Sequence, residues 1–368
     1  MKVLVTGSNG FIGKNLVVRL RELNGYDVIC FDRGDSLEDL ATHINLVDAV
    51  IHLAGVNRPE HVAEFLEGNA DLTQQLCDLI EATGRKIPLL ISSSIQAGFT
   101  NPYGQSKLMA ESAGIALAEN TENPVAIYRL PGVFGKWCRP NYNSVVATFC
   151  HNIANDLPIQ INDPAVVLDL VYVDDVVSEL IRALGGMPIG LSRGEVCPVH
   201  EITLGELAAQ IEAFKMCRES LFSERVGTGL VRALYATYVS YLPPSKFTYP
   251  LPKHGDERGV FVEMLKTKDS GQFSFFTAYP GVTRGGHYHH TKTEKFLVIK
   301  GAACFSFRHT ITNERCEIFT SGEKPQIVET VPGWTHDITN VGDDEMIVML
   351  WANEIFDRAN PDTYACPV

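Results

Sequence analysis

Near the start of the chain stands the stretch Val3-Leu4-Val5-Thr6-Gly7-Ser8-Asn9-Gly10-Phe11-Ile12-Gly13. An apolar run of strand length ends at Gly7, and apolar residues then recur at helical spacing from Leu16 to Leu23. The three glycines therefore occupy a strand-to-helix turn, where the pyrophosphate of a dinucleotide binds. Gly7 permits the tight turn, Gly10 lets backbone N–H groups approach phosphate oxygens, and Gly13 lets the helix pack closely on the strand.

Alternating strands and helices follow this turn. Short, largely apolar runs at 27–33, 49–55 and 88–94 lack the polar alternation of a half-exposed strand, and helical spacing separates them. Such runs are typical of a parallel sheet that is covered by helices on both faces. The sequence therefore predicts a doubly wound, Rossmann-like α/β domain, in which ligands bind at the carboxyl ends of the strands.

Length and composition limit the possible functions. The 368 residues fit two domains, and 45% hydrophobic and 20% charged residues are typical of globular proteins. A net charge of −13 argues against nucleic-acid partners and anionic membrane surfaces, which require basic patches. No apolar stretch reaches the length of a membrane span, and the first residues lack the layout of a signal peptide. Nine cysteines without a CxxC pair favour reduced thiols, so we expect a cytoplasmic protein.

A second motif is the pair Tyr103 and Lys107 in a helix-forming context. Positions i and i+4 share one face of a helix, so the phenol and the ammonium can reach the same pocket. The ammonium is expected to lower the pKa of the tyrosine from about 10 towards neutrality. Such a tyrosine can give a proton to a carbonyl oxygen as a hydride arrives from nicotinamide.

Together these segments resemble the extended short-chain dehydrogenase/reductase family, in its nucleotide-sugar branch, over about residues 1–240. The resemblance implies that Tyr103 is the catalytic acid and that Lys107 lowers its pKa and holds the nicotinamide ribose. It also implies a catalytic serine, for which Ser93 and Ser94 are favoured and Ser92 stays open. The residues that the resemblance assigns to the cofactor are Gly7, Asn9, Gly10, Phe11, Ile12, Gly13, Asp32, Arg33, Leu53, Ala54, Gly55, Tyr103 and Lys107.

The residues that end the second strand allow two cofactors. Asp32 suits the ribose hydroxyls of NAD(H), whereas Arg33 suits the 2′-phosphate of NADP(H). We expect NADP(H), which a biosynthetic reductase would use, with NAD(H) as the open alternative. A family arginine before the Val171–Val176 segment is missing here, so substrate contacts are expected from Asn141, Tyr142 and Asn143 instead.

The pattern changes after two prolines at 243–244, where we place the boundary between a domain at 1–243 and a domain at 244–368. Short strands rich in aromatic and β-branched residues then alternate with Gly and Pro turns. The last third is therefore predicted to be all-β, as a barrel or jelly roll.

This all-β part carries a candidate metal site. His287 and His289 are two residues apart, so both side chains face one side of a strand. Glu294 begins the next strand, and His336 comes from a distant one. Three imidazoles and one carboxylate suit Zn, Fe or Ni, with zinc as the expected ion.

The segments 281–301 and 332–340 are similar to the two cupin motifs, although Pro332 and Gly333 are adjacent where the motif has a residue between them. The segments 256–263 and 284–288 resemble the deoxysugar-nucleotide 3,5-epimerases. This resemblance implies that Arg258 and Arg284 bind the substrate diphosphate. Those epimerases use a histidine base without metal, whereas His287 has ligand spacing here. The base is therefore open; the candidates are His290, Lys295 and Asp337.

The two parts joined in one chain resemble the bifunctional reductase/epimerases of capsular-polysaccharide synthesis on the route to UDP-N-acetyl-L-fucosamine. This implies C3 epimerisation in the cupin and C4-keto reduction in the first domain of a UDP-4-keto-6-deoxy-HexNAc, giving UDP-2-acetamido-2,6-dideoxy-β-L-talose. Two alternatives are a reductase or epimerase of another nucleotide sugar whose cupin only binds or dimerises, and a non-catalytic sugar-nucleotide sensor. Because cupin barrels often pair through edge strands, we expect a homodimer.

Overall fold

The computed structural model describes residues 1–368, which form two compact units. The first unit comprises Met1–Ile211 and Thr228–Pro243, and the second comprises Glu212–Gly227 and Pro244–Val368. Residues 212–227, which the sequence placed in the first domain, group with the second unit, where Phe222–Ser223 pairs in parallel with Gly259–Thr267. None of the helices is both long enough and apolar enough to cross a bilayer.

The first unit is a helix-covered parallel sheet with a small side sheet. Its strands are β1 (Lys2–Thr6), β2 (Asp27–Phe31), β3 (Ala49–His52), β4 (Leu89–Ser94), β5 (Val125–Leu130), β6 (Gly132–Phe134), β7 (Val167–Tyr172), β8 (Leu191–Gly194) and β9 (His200–Thr203). The main sheet is parallel throughout, in the order β2-β1-β3-β4-β5-β8, and the side sheet has the order β6-β7-β9. The predicted Rossmann-like fold is confirmed.

Helices follow the strands in sequence. They are α1 (Phe11–Glu22), α2 (Leu37–Leu46), α3 (Ala63–Phe65), α4 (Leu72–Ala82), α5 (Pro102–Thr121), α6 (Val145–Ala154), α7 (Val173–Leu184), α8 (Leu204–Ser220) and α9 (Gly229–Val239). A π-helical turn, Leu66–Asp71, joins α3 to α4. Consecutive side chains of β1 point to opposite faces of the sheet, and both faces are buried. Val3 and Val5 pack into one apolar core, while Leu4 packs into a second.

The second unit is an antiparallel barrel of two facing sheets, as predicted, apart from the parallel β10–β12 pair. Its strands are β10 (Phe222–Ser223), β11 (His254–Asp256), β12 (Gly259–Thr267), β13 (Gln272–Ala278), β14 (Thr283–Tyr288), β15 (Glu294–Lys300), β16 (Ala302–His309), β17 (Arg315–Ser321), β18 (Ile327–Glu329), β19 (Trp334–Asn340), β20 (Met346–Ala352) and β21 (Tyr364–Ala365). One sheet has the order β10-β12-β13-β20-β15-β18, with β11 beside β12, and the other has β17-β16-β19-β14-β21. Phe276, Phe296 and Phe305 pack between them.

Candidate active site and metal centre

The turn between β1 and α1 has the geometry of an anion site. Gly7 has φ +70°, and a Cβ there would lie 2.6 Å from the Ala54 nitrogen. A Cβ on Gly13 would lie 2.1 Å from the Gly7 carbonyl oxygen, so neither position accepts a side chain. No side chain caps α1, and its first turn holds no acidic residue. The N–H groups at this helix terminus can therefore face a phosphate.

A cleft of about 760 Å³ extends from this turn across the carboxyl ends of the strands. Of the residues predicted to bind the cofactor, those that line it are Gly7, Asn9, Gly10, Phe11, Ile12, Gly13, Leu53, Gly55, Tyr103 and Lys107. Ala54 lies behind the lining, where its N–H donates to Thr6 Oγ1. Asp32 accepts from the N–H and the side-chain amide of Asn9, at 2.8 and 2.9 Å, and the Arg33 side chain is exposed.

Tyr103 and Lys107 lie in the first turns of α5, which Asn101 caps by accepting from the Gly104 N–H at 2.7 Å. The buried Lys107 ammonium donates to the Ser92 carbonyl at 3.1 Å. Burial lowers the pKa of Lys107 to about 8, and the charge of Glu111 opposes this shift. Burial also raises the pKa of Tyr103, against a hydrogen bond with the Ser94 side chain. The expected lowering of the tyrosine pKa is therefore wrong for this structure, because desolvation exceeds the effect of its polar neighbours.

The serine run is divided by strand alternation. Ser94 contacts Tyr103, whereas the Ser93 hydroxyl donates to Glu111 Oε1 at 2.6 Å. Ser93 is thus not brought to the tyrosine, because consecutive side chains of β4 point to opposite faces.

Glu111 is a residue that the sequence analysis missed. Its fully buried carboxylate accepts from Arg129 at 2.7 and 2.8 Å and from Arg193 at 2.9 Å. Burial alone would raise the pKa of Glu111, but hydrogen bonds from Arg129, Ser93 and Arg193 lower it. A signal was available, since Glu111 lies one helical turn beyond Lys107 on α5.

Asn69, in the π-helical turn, connects the cleft lining to the catalytic helix. Its Oδ1 accepts from the Val56 N–H, and its Nδ2 donates to Ser106 Oγ, each at 2.9 Å. The Ser106 hydroxyl donates to the carbonyl of Tyr103 at 2.8 Å. The first turn of α5 is therefore held to the 55–57 loop by a chain of side-chain hydrogen bonds.

The predicted substrate loop lies partly in the cleft. Tyr142 and Asn143 line it, but Asn141 does not: it adopts φ +53° and its N–H donates to Thr148 Oγ1. Two arginines that the sequence analysis missed flank the Tyr142 ring, Arg139 at 5.0 Å and Arg58 at 6.0 Å. Arg139 also lines the cleft and supplies a positive charge there, although the family arginine is missing.

In the barrel, His287, His289, Glu294 and His336 offer ligand atoms that all lie within 4.8 Å of one another. His287 stands opposite His336 in the pairing of β14 with β19. Burial, followed by the charge of His336, lowers the pKa of His287 to about 4, which keeps this imidazole neutral at pH 7. The structure therefore brings together all four predicted ligands.

The hydrogen bonds of this cluster leave nitrogen lone pairs facing its centre. His289 Nδ1 lies 2.6 Å from the Asp362 carbonyl, and His336 Nδ1 lies 3.4 Å from the Trp334 carbonyl. A carbonyl only accepts, so each Nδ1 carries a hydrogen and Nε2 is the ring nitrogen left to bind a cation. His289 Nε2 lies 3.2 Å from Glu294 Oε2, and the buried His336 Nε2 has no hydrogen-bond partner. Two imidazole lone pairs around a carboxylate fit a divalent cation.

Two neighbours of the ligands were not found from sequence. The buried Lys292 ammonium lies 3.1 Å from Glu294 Oε1. Burial alone would raise the pKa of Glu294, but its contacts with the His289 and His336 imidazoles, together with the charge of Lys292, keep it well below its usual range. Asp362 is about seventy residues from the loop that it contacts, and no local pattern indicates that contact.

Arg258 and Arg284 differ in their partners. Arg258 is bound by the neighbouring Asp256, with Nε 3.0 Å from Oδ2. The Nε and Nη2 of Arg284 are buried without a hydrogen-bond partner, and the guanidinium lies 5.4 Å from the centre of the Phe276 ring. A half-buried arginine with two unpaired donors is suited to an anionic ligand.

The structure brings none of the three candidate bases into the ligand cluster. Lys295 pairs with Glu329 at 2.9 Å, on the face of β15 opposite Glu294. Asp337 likewise alternates with His336 along β19, and it hydrogen-bonds Ser306. The exposed His290 packs against Tyr288 and Tyr364. Lys295 and Asp337 each follow a ligand that faces the barrel interior, and consecutive side chains of a strand point to opposite faces, so both face outward.

Comparisons with known proteins agree with this architecture. Residues 3–187 match the NAD dependent epimerase/dehydratase family, and residues 254–364 match the polysaccharide biosynthesis C-terminal domain. The UDP-2-acetamido-2,6-beta-L-arabino-hexul-4-ose reductase of Pseudomonas aeruginosa is 59% identical over 368 residues, covering 100% of this chain and 99% of the relative.

Solved structures give the same result. The capsular polysaccharide assembling protein CapF of Staphylococcus aureus is 44% identical, covers 100% of both chains and superposes with a TM-score of 0.93. The UDP-glucose 4-epimerase of Thermus thermophilus, solved with NAD, is 19% identical, covers 66% of this chain and 99% of its own, and has a TM-score of 0.55, which indicates the shared fold of the first unit. The chain therefore belongs to the NAD dependent epimerase/dehydratase family, as an oxidoreductase that also carries a polysaccharide biosynthesis C-terminal domain.

Proposed function

We propose that this chain catalyses two consecutive steps on a UDP-4-keto-6-deoxy-HexNAc, epimerisation at C3 in the barrel and reduction of the C4 ketone in the first unit. The product would be UDP-2-acetamido-2,6-dideoxy-β-L-talose, a precursor of UDP-N-acetyl-L-fucosamine and of capsular or O-antigen polysaccharide. The observation that carries the reductase step is the Tyr103–Ser94–Lys107 cluster in a dinucleotide cleft. The 59% identity to a curated hexul-4-ose reductase supports the substrate class.

In the reductase step, Tyr103 donates its phenolic proton to the C4 oxygen while C4 receives a hydride. The C=O π bond breaks, and a C–H and an O–H bond form. Bound dihydronicotinamide supplies the hydride. Tyr103 has a raised pKa and is therefore in the acid form that this direction requires. Ser94 orients the phenol and the ketone oxygen, and the Lys107 ammonium stabilises the negative charge that develops.

In the barrel, His287, His289, Glu294 and His336 would hold a divalent cation, with zinc as the expected ion. Such an ion would supply Lewis acidity to the ketone oxygen next to C3, and the base that takes and returns the C3 proton stays open. Arg284 binds the substrate diphosphate through its unpaired Nε and Nη2, and Arg258 adds charge from its place beside Asp256. Tyr142, Asn143 and Arg139 bind the same substrate in the reductase cleft.

For the cofactor we propose NADP(H). The exposed Arg33 follows Asp32 at the end of β2, where it can reach a 2′-phosphate. Arg33→Ala should raise KM for NADPH about tenfold and leave KM for NADH unchanged, because only NADPH carries that phosphate. An equal change for both cofactors would argue for NAD(H) held by Asp32.

The proposed function is tested by separating its two steps. The assay supplies the ketone either before or after C3 epimerisation and follows NADPH consumption. We expect His287→Ala to lose activity only on the first substrate and Tyr103→Phe to lose activity on both. If His287→Ala reduces both ketones as fast as the wild type, the barrel serves binding or dimerisation, the first alternative. If Tyr103→Phe leaves the biological function unchanged, the sensor alternative is supported.

We also propose a cytoplasmic homodimer. The edge strand β17 exposes Ile318 and Phe319, and it ends the five-stranded sheet of the barrel. An exposed apolar edge strand of this kind can pair with a second copy. Light scattering should give twice the 40.6 kDa chain mass, and a monomeric mass would contradict the proposal.

A further inference from the structure

The last residues of the chain, 353–368, form a segment that we name the C-terminal strap. It follows β20 and includes β21, which pairs with β14 at His287 and Tyr288. Its first contact is reciprocal: the Asn353 N–H donates to the Thr293 carbonyl, and the Thr293 N–H donates to Asn353 Oδ1, at 3.1 and 3.0 Å. Farther along, the Phe356 ring lies 5.7 Å from the Lys292 ammonium.

The strap hydrogen-bonds the residues that precede three of the four ligands. The Cys366 N–H donates to the carbonyl of Gly286, which precedes His287, at 2.9 Å. The hydroxyl of Thr335, which precedes His336, donates to the Cys366 carbonyl. Asn353 holds Thr293, which precedes Glu294. These ligands come from three strands, and the strap is one continuous segment that touches all three.

Asp362 makes the densest of these contacts. Its carboxylate accepts from the N–H groups of His290, Thr291 and Lys292 at 3.0, 2.8 and 2.8 Å. It thereby fixes the loop between β14 and β15, whose two ends carry His289 and Glu294. Its own carbonyl accepts from His289 Nδ1 at 2.6 Å. One residue therefore orders the loop and sets the tautomer that leaves the His289 Nε2 lone pair towards Glu294.

We propose that the C-terminal strap is a positioning element of the metal centre, and that Asp362 sets the cation affinity of the barrel by orienting His289. This inference rests on the proposed metal site. Asp362 does not touch the reacting atoms, and it acts through the loop and through one ligand. Contacts of this outer kind change metal affinity about 10- to 100-fold when they are removed.

The test is a measurement of Zn²⁺ affinity in the full chain. The protein is stripped with a chelator and titrated with Zn²⁺ against a chromogenic competitor, and the variants are Asp362→Ala, Asp362→Asn and Asp357→Ala. Asp357 is the matched control, since its carboxylate accepts only within the strap, from the Ala359 N–H at 2.8 Å. Both Asp362 variants keep the backbone carbonyl that faces His289 and change the carboxylate that anchors this carbonyl to the loop. We expect a 10- to 100-fold weaker affinity for Asp362→Ala, partial recovery for Asp362→Asn, which keeps an acceptor oxygen, and a change below twofold for Asp357→Ala.

Thermal unfolding of the metal-free variants distinguishes positioning from general stability. We expect Asp362→Ala to melt within a few degrees of the wild type, with NADPH binding unchanged. Affinity within twofold of the wild type for Asp362→Ala would overturn the strap inference and leave the metal site standing. A loss of affinity matched by collapse of the metal-free barrel, for Asp362→Asn as well, would reduce the strap to a structural element. A wild-type protein that binds no Zn²⁺ would overturn both the metal site and this inference.

Discussion

The cluster around Tyr103 in the first unit and the cluster around His336 in the barrel differ in how their polar side chains are hydrogen-bonded. Lys107, Ser94 and Glu111 all have protein partners, and Tyr103 bonds Ser94. In the barrel, His336 Nε2 and two nitrogens of Arg284 are buried without a hydrogen-bond partner. A buried polar group without a hydrogen-bond partner lowers the free energy of unfolding by about 1–3 kcal/mol, so only the barrel cluster carries this cost. The first is pre-arranged by the chain itself, whereas the second leaves donors that the proposed cation and the substrate diphosphate would satisfy.

This difference predicts how substitutions act. In the reductase cluster, a variant removes a group whose neighbours already hold it in position, so it should affect the chemical step. In the barrel, a variant changes the binding of a ligand on which the chemistry depends.

Tyr103→Phe should reduce the rate of C4 reduction by about 10²- to 10⁴-fold, because it removes the proton donor and leaves the ring in place. Exchange at C3 in the barrel should be unchanged. The matched control is Tyr26→Phe, which alters a tyrosine packed beside the first apolar core. NADPH oxidation with the epimerised ketone measures the effect; a loss below tenfold would assign the proton donor to another group.

His336→Ala should abolish bound metal and reduce C3 exchange at least 100-fold, because it removes one of four ligands. Reduction of the epimerised ketone should proceed normally. His254→Ala, at an exposed barrel position, is the control. Metal content by mass spectrometry and exchange by NMR are the readouts, and retained metal together with retained exchange would remove His336 from the site.

Arg284→Ala should raise KM of the barrel reaction about 10- to 100-fold, since a charged hydrogen bond to phosphate is lost. Arg258→Ala should have a smaller effect, because Asp256 already binds that side chain. Initial rates of C3 exchange against substrate concentration provide the comparison. Equal effects of the two variants would show that burial and unpaired donors do not mark the diphosphate contact.

The pH dependence of reduction should follow Lys107. Burial lowers its pKa to about 8, so the ammonium is present below that pH and is lost as the pH rises through it. We expect kcat/KM to fall about tenfold per pH unit above 8. In Lys107→Arg, which keeps its charge, this decline should disappear. A flat profile up to pH 10 in the wild type would contradict this role of Lys107.

Much of this architecture could be predicted from local pattern. The glycine turn, the apolar strands and the Tyr103–Lys107 spacing indicate the first unit because strand and helix periods are short-range properties. The His287–His289 pair and Glu294 were found in the same way. The choice between Ser93 and Ser94 could not be made, because the register of β4 depends on its neighbours β3 and β5.

Strand alternation could have excluded two of the candidate bases from sequence alone. Once Glu294 and His336 are placed inside the barrel, strand alternation directs Lys295 and Asp337 outward. The contacts of Asp362 could not have been predicted, because they depend on where the chain's last segment crosses the barrel. The raised pKa of Tyr103 depends on burial in the folded cleft, which residue spacing does not reveal.

The most direct test of two active sites in series is an NMR assay in deuterated water with a UDP-4-keto-6-deoxy-HexNAc. The substrate is incubated first with the purified enzyme alone and then with NADPH. We predict that deuterium enters at C3 before any cofactor is added and that the C4 ketone is reduced once NADPH is present. Reduction of the ketone without deuterium at C3 would contradict the account and leave the barrel as a binding or assembly module.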